Sequence, residues 1–259
     1  MILVIDVGNT NLVLGCMEEG RKCFSARLAS DVRKTAEEYA LLIGGILQMH
    51  GVSAEEIEGG ILSSVVPYLR TVVPEAVRLL TGHSIPVVGS GIRTGLNIRV
   101  DDPAAVGSDL IVGAVAAKAK YPAPIAVIDM GTATTLTVIG PKGEYEGGMI
   151  IPGFWTSLNA LSESAAQLPY IDPDGPVRLI GKNTVDCMRA GSVIGCAAML
   201  DGLLERLEEE LGTPVSAVLT GGVSHLVAPH CRHRIHEEPD LLLDGLALLY
   251  KKNSGPGQK

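Results

Sequence analysis

The sequence predicts an α/β protein made of two related domains, and three observations carry that prediction. The chain reads VIDVGNTN from Val4 to Asn11 and VIDMGTAT from Val127 to Thr134: an apolar run, then Asp6 or Asp129, then glycine with small hydroxyl or amide residues. Such a run is a buried strand that delivers a carboxylate into a tight turn whose backbone a ligand can approach closely. The wider periodicity spells strand, strand, strand, helix, strand, helix, and then repeats, which is a β-meander followed by βα units in each half. Finally, 46% hydrophobic against 19% charged residues suffices for cores, and with 3% aromatic residues these must be built from Ala, Val, Ile and Leu.

Each element has its own signal. Residues 2–9 are an apolar strand and Thr10 to Gly15 continue after a turn; Glu18 to Lys22 (EEGRK) is a hairpin connection into a third strand through Phe24 to Leu28. Thr35 to Gly51 has helical spacing, with Tyr39, Leu42, Ile43, Ile46 and Leu47 on one face and Gly51 as a stop. Ser53 and Glu56 form a capping box. Gly60 to Val66 is a buried strand, Pro67 to Gly82 a helix, Pro86 to Val88 a short strand, and Pro103 to Tyr121 an alanine-rich helix. In the second half, Pro124 to Thr132 and Thr135 to Ile139 are strands, GPKGEY (Gly140 to Tyr145) is a second hairpin turn, and Met149 to Ile151 runs into Pro152-Gly153. A long helix follows from Thr184 to Leu211, a strand from Val215 to Leu219 and a closing helix from Asp240 to Tyr250. The expected domains are 1–118 and 119–250, with the seam near KAKYPAP (Lys118 to Pro124) and a frayed polar tail at 251–259.

A formal charge of −8 disfavours a nucleic-acid-coating protein, although a local phosphate site is compatible with it. Five cysteines, scattered and without a CxxC, fit a reduced, cytoplasmic setting. Asp6 interrupts the first apolar run, which has no basic flank, so it does not read as a signal peptide. The other apolar stretches are expected to be too short or too charged to span a bilayer, so no membrane partner is expected.

Two domains that each present Asp-x-Gly at the end of the first strand are expected to face each other across a cleft. Successive backbone N–H groups in such turns form concave anion sites. Asp6 and Asp129 should each face a cation there, and the hydroxyls of Thr10, Thr132, Thr134 and Thr135 with the amides of Asn9 and Asn11 add phosphate donors. A carboxylate, a cation and a phosphate chain together suit phosphoryl transfer, whose catalysis is mostly positioning and charge neutralisation. Asp109 sits between Gly107-Ser108 and a helical apolar run. There it is either a helix N-cap or a carboxylate poised to take a proton from an alcohol.

The two turns resemble the phosphate motifs of the acetate kinase, sugar kinase, Hsp70 and actin superfamily, and more narrowly those of type III pantothenate kinases. TGLNIRVDDPAAVGSDL (Thr94 to Leu110), GGMIIPG (Gly147 to Gly153), GKNT (Gly181 to Thr184), TGG (Thr220 to Gly222) and PDLLLDGLALL (Pro239 to Leu249) extend the likeness, in order, from Met1 to about Tyr250. The resemblance implies two duplicated actin-like (ribonuclease H-like) domains, each a mixed five-stranded sheet with flanking helices. It implies ATP-dependent phosphorylation of the primary hydroxyl of pantothenate, the first step of coenzyme A biosynthesis, by a homodimer. By the same resemblance, Asp6 with Gly8, Asn9, Thr10 and Asn11 holds the phosphates of ATP and its Mg²⁺, and Thr132 contacts ATP. Thr220, Gly221 and Gly222 pass near the adenosine, and Asp129 ligates a monovalent cation, potassium or ammonium. Asp109 accepts the substrate proton, Val100, Gly107, Ser108 and Leu110 line the pantothenate pocket, and Thr184 closes that pocket from the second subunit.

Two departures matter. Leu110 stands where the family usually has an arginine that would meet the pantothenate carboxylate, and leucine cannot imitate a bidentate guanidinium. Val100 stands where an aromatic is often found. Arg99 is one candidate substitute for the missing cation; a kinase for another small alcohol, a phosphohydrolase, or a non-catalytic nucleotide-binding regulator are the alternatives. HCRHRIHEE (His230 to Glu238) fits no standard zinc spacing, the acidic run ERLEEELG reads as a solvated helix face, and Ala190 to Leu200 is rich in small residues suited to close helix packing. Trp155, the only tryptophan, belongs either to a pocket edge or to a core.

Overall fold

A computed structural model describes residues 1–254. It divides the chain into two compact units: Met1–Gly95 with Asp102–Ala116 and the chain from Leu241 onward, and Leu96–Asp101 with Ala117–Asp240.

The first unit begins with β1 (Ile2–Val7), β2 (Asn11–Glu18) and β3 (Arg21–Ala29), a meander whose β2–β3 turn places Glu19 and Gly20 at φ 49° and 81°. Then come α1 (Ala36–Met49), β4 (Gly59–Ser64), α2 (Leu69–Thr81) and α3 (Ser108–Lys120), of which residues 108–116 belong to this unit. The strand order is β3-β2-β1-β4, antiparallel except for the parallel β1–β4 pair. The period of two sorts the side chains of β1 onto two faces. Leu3, Ile5 and Val7 join the buried faces of α1 and α2, whereas Val4 packs with Ile61, Val112 of α3 and the leucines of the closing helix. Thr35 caps α1 in a reciprocal box with Glu38, and Tyr39, Ile43 and Leu47 are its buried face. Leu42, expected on that face, is exposed because it lies to one side of the three-residue stripe. The expected helix over Pro103–Tyr121 splits: Asp102 caps a separate 3₁₀ turn at Pro103–Ala105, and α3 starts only at Ser108, after Gly107.

The second unit repeats the plan with β5 (Ile125–Met130), β6 (Ala133–Ile139), β7 (Tyr145–Pro152), α4 (Phe154–Ser164), α5 (Thr184–Leu211), β8 (Ser216–Thr220), the short α6 (Ser224–Val227) and β9 (Ile235–Glu237). Its order, β7-β6-β5-β8-β9, reproduces the first sheet and adds one strand. The expected five strands in each domain therefore need correcting: in the first unit the place of β9 is held only by a parallel bridge between Leu62 and Val87. Its core lies between the sheet and α4 and α5, with Ala126, Ile128 and Met130 of β5 on that face. Residues 97–99 extend the β7 edge, since Tyr145 N donates to Asn97 O at 2.8 Å and Arg99 N to Tyr145 O at 2.8 Å.

Several expectations about the chain's later part change. The closing helix, α7 (Leu241–Asn253), runs past Tyr250 and packs in the first unit, where Leu243, Leu246 and Leu249 are buried against Val4 and Ile61. The consecutive division at 1–118 and 119–250 differs from the observed units at this helix and at Leu96–Asp101. Of the expected tail, residues 251–253 are helical, and 255–259 lie outside the described residues. In addition, α5 is long and apolar enough, by length and composition, to cross a bilayer. One face of it, including Val193, Ala197, Leu200 and Leu204, is buried in the second core, as a core helix requires.

Candidate active site

In the first unit, Asp6 is register partner to Val13 on one side and Ser63 on the other, and is 9% exposed. The turn after it closes through Gly8 N donating to Asn11 O at 2.9 Å. Ser30 ties back two carbonyls of the turn: its Oγ donates to Gly8 O at 2.7 Å and its N–H to Thr10 O at 2.9 Å. Carbonyl dipoles held there do not oppose an anion at the amide side of the turn. The side chains of Asn9 and Thr10 are exposed.

Asp109 lies in the first turn of α3. Burial raises its pKa, against the opposing pull of the Leu110 amide and its own. A β-carbon at Gly107 would come within 2.5 Å of Asp109 Oδ1, so glycine is what leaves room for the carboxylate to fold back over the helix start. Ser108 is buried, and its hydroxyl is engaged internally, accepting from Ser63 Oγ at 3.0 Å and donating to Ser64 O at 3.2 Å. Leu110 is half-buried.

In the second unit, Asp129 is the penultimate residue of β5, opposite Thr135 and Thr220. Its turn is one residue tighter, with Gly131 N donating to Ala133 O at 3.1 Å. Two glycines crowd this turn. A β-carbon at Gly153 would strike the carbonyls of Gly131 and Thr132, and one at Gly221, where φ is 102°, would lie 2.5 Å from the Met130 backbone. Thr156 Oγ1 donates to Thr132 O at 2.7 Å, fixing the turn from α4. Thr134 and Thr220 are buried, and Gly222 is exposed beside them. Gly153 and Thr156 were not singled out in the sequence; the GGMIIPG motif ends on the first of them, but its contact with the turn is tertiary.

The remaining positions are placed as follows. Val100 is half-buried near Gly147 of β7, and Thr184 is the exposed first residue of α5, behind the Asn183 cap. Arg99 does not offer a spare cation: its guanidinium is 3.2 Å from Glu144 and 3.9 Å from Glu146. Glu144 is buried, and its second oxygen has no hydrogen-bond partner, so removing Arg99 would leave a buried carboxylate further exposed to desolvation. The histidine tract disperses: His233 faces Asp201 at 3.3 Å, while His236 packs on the Tyr121 ring. Among the described residues, no cluster of His, Cys, Asp or Glu is arranged to hold a metal by itself. Trp155 is 44% exposed beside Phe154, which settles it at the surface rather than in a core.

Each turn, taken within its own unit, is a tight backbone surface of the kind that can receive an anion, with a carboxylate at its root. A family model described as type III pantothenate kinase matches residues 2–206. The chain is 43% identical over 256 residues to the type III pantothenate kinase of Moorella thermoacetica, covering 98% of this chain and 100% of that one. It is 42% identical over 256 residues to the enzyme of the same name from Syntrophotalea carbinolica, again covering 98% and 100%. Among solved structures, the ROK hexokinase of Thermus thermophilus superposes with a TM-score of 0.52 at 16% identity, covering 98% and 99% of the two chains, a likeness of fold.

Proposed function

The chain belongs to the type III pantothenate kinase family, and from that premise we propose how its own residues carry the reaction. The protein is a phosphotransferase: it moves the terminal phosphoryl group of ATP to the primary hydroxyl of pantothenate, giving phosphopantothenate at the entry to coenzyme A biosynthesis. A divalent cation bound with ATP neutralises phosphate charge, and monovalent potassium or ammonium at Asp129 adds to this.

The observation that carries the assignment of roles is Asp109. An alcohol oxygen attacks phosphorus only as its proton leaves, and a carboxylate whose pKa is raised by burial is a better acceptor than an ordinary aspartate. Asp109 takes that proton. The turn through Gly8, Asn9, Thr10 and Asn11 and the turn at Gly131-Thr132 hold phosphate through backbone amides and hydroxyls, with Asp6 toward the divalent cation. Gly221 and Gly222 let the nucleotide approach the backbone closely. Gly107, Val100 and Leu110 shape the acceptor pocket, and Thr184 closes it from a second copy of the chain. An apolar groove of about 510 Å³ beside α4 and α5, lined by Phe154, Leu158, Met188 and Gly191 among others, supports the homodimer, as do exposed Ile150 and Trp155. Five free thiols support a reduced, cytoplasmic setting.

The test is Asp109→Asn. Turnover should fall at least about 100-fold, the usual reach of a lost general base, while ATP binding by calorimetry is retained. Unchanged turnover would remove Asp109 from the mechanism. Measuring ADP release with and without pantothenate separates the leading role from the rivals: acceptor-independent ADP is hydrolysis, and no ADP at all is a regulator.

A further inference from the structure

The activity assigned above leaves one buried polar cluster without a task. Ser63 is completely buried in β4, a position that an apolar side chain would fill at no hydrogen-bonding risk. Its register partner is Asp6, so both side chains leave the same face of the sheet, the one that α3 and α7 cover. From there the Ser63 hydroxyl donates to Ser108 Oγ at 3.0 Å, and Ser108 donates onward to the Ser64 carbonyl at 3.2 Å. The end of β4 is anchored as well. Arg70 spans the Ser64 and Val88 carbonyls at 3.3 Å each, and Val65 N donates to Val7 O at 3.1 Å, one residue ahead of the glycine that opens the phosphate turn. One strand end therefore grips the root of the acidic turn with its backbone and the first residue of α3 with its hydroxyl. Asp109 is the next residue along.

We propose that Ser63 is a positioning residue: through Ser108 it sets where α3 begins, and so where the Asp109 carboxylate stands relative to the Asp6 turn. This rests on the reading of Asp109 as the proton acceptor. The chemistry makes such a brace worthwhile, because an in-line transfer tolerates little displacement of the group that takes the proton. Misplacement by about 1 Å can reduce a rate about 100-fold.

The test compares Ser63→Ala, Ser63→Thr and Asp109→Asn in full-length protein, with each rate normalised to the folded fraction from thermal unfolding. For Ser63→Ala we expect kcat to fall about ten-fold, an intermediate misplacement, with the KM for ATP unchanged. Ser63→Thr, which keeps the hydroxyl, should recover most of that loss. Adding Ser108→Ala to Ser63→Ala should reduce kcat by less than the product of the two single effects, as residues acting as one unit do. Wild-type kcat in Ser63→Ala overturns the proposal, and so do equal losses in the Ala and Thr variants. Normal turnover in Asp109→Asn removes the proton-acceptor reading itself. A loss in Asp109→Asn with none in Ser63→Ala removes only the brace.

Discussion

A carboxylate in the first turn of a helix is ordinarily favoured in its ionised form by the amide dipoles around it. At Asp109 burial outweighs those amides and moves the pKa up. With Asp109 as the proposed proton acceptor, activity needs the ionised form, so kcat should decline on the acid side at a pH above that of an ordinary aspartate. The sign for stability is opposite. A raised carboxylate favours folding while protonated and loses that contribution as pH rises through its folded pKa. Asp109→Asn should therefore unfold at a higher temperature than the wild type at pH 7, and the gap should narrow toward pH 4, the ordinary aspartate range. A variant that is both inactive and more stable is the signature of a strained functional group; a destabilised one would mark a helix cap instead. Leu110 invites a second measurement. Leu110→Arg should lower the KM for pantothenate about ten-fold, the scale of a charge-assisted pair, with the KM for ATP unchanged. No change would mean that the acceptor carboxylate is held elsewhere. That Asp109 stands near a helix start was readable from the sequence. That Gly107 makes room for it, and that the Ser108 hydroxyl is turned toward β4, was not, because both follow from side-chain directions that spacing does not specify.

Among the elements, those with chemical punctuation were the readable ones. Asn183 and Gly212, a side-chain cap and a left-handed stop, bound α5 at the residues expected. By contrast α4 went unforeseen: it follows Pro152-Gly153, has no capping side chain, and buries only Phe154 and Leu158. The three-residue β9 is held by its ladder to β8 rather than by any apolar alternation. The loop after β8 is the element on which most converges. Gly221 combines a φ of 102° with backbone contact at Met130, so Gly221→Ala should destabilise the protein by about 2–4 kcal/mol. Thermal unfolding should show this as a fall of about 4–16 °C for a chain of this size. ATP affinity should fall with it, even well below the new midpoint. Retained stability and affinity would mean the loop relaxes freely and is not a shaped nucleotide surface.

At the scale of the molecule, the same plan of a three-stranded meander followed by βα units is used twice, and the second sheet has one strand more. Each sheet leads with an acidic turn, so the repeated sentence in the chain is a repeated structural part. The proposed homodimer belongs to this scale. Sedimentation should give a dimer for the wild type, and Ile150→Glu, at a 78% exposed position on β7, should give a monomer that has lost turnover. A wild-type monomer at assay concentration, or a fully active Ile150→Glu monomer, would remove the second subunit from the acceptor site.

Local chemistry in the chain was sufficient to determine the duplicated acidic turns and the meander-then-βα order of each half, because these depend on period, glycine and capping residues that neighbours along the chain supply; the kinase family was legible only through the resemblance of its motifs. The tertiary structure alone decided that the closing helix returns to the first unit, that Arg99 is taken by Glu144, and that Gly153 and Gly221 press on the second turn. It alone joined Ser63 to the start of α3. Those contacts link residues far apart in sequence, and burial against distant partners leaves no periodic trace in the residues that make it.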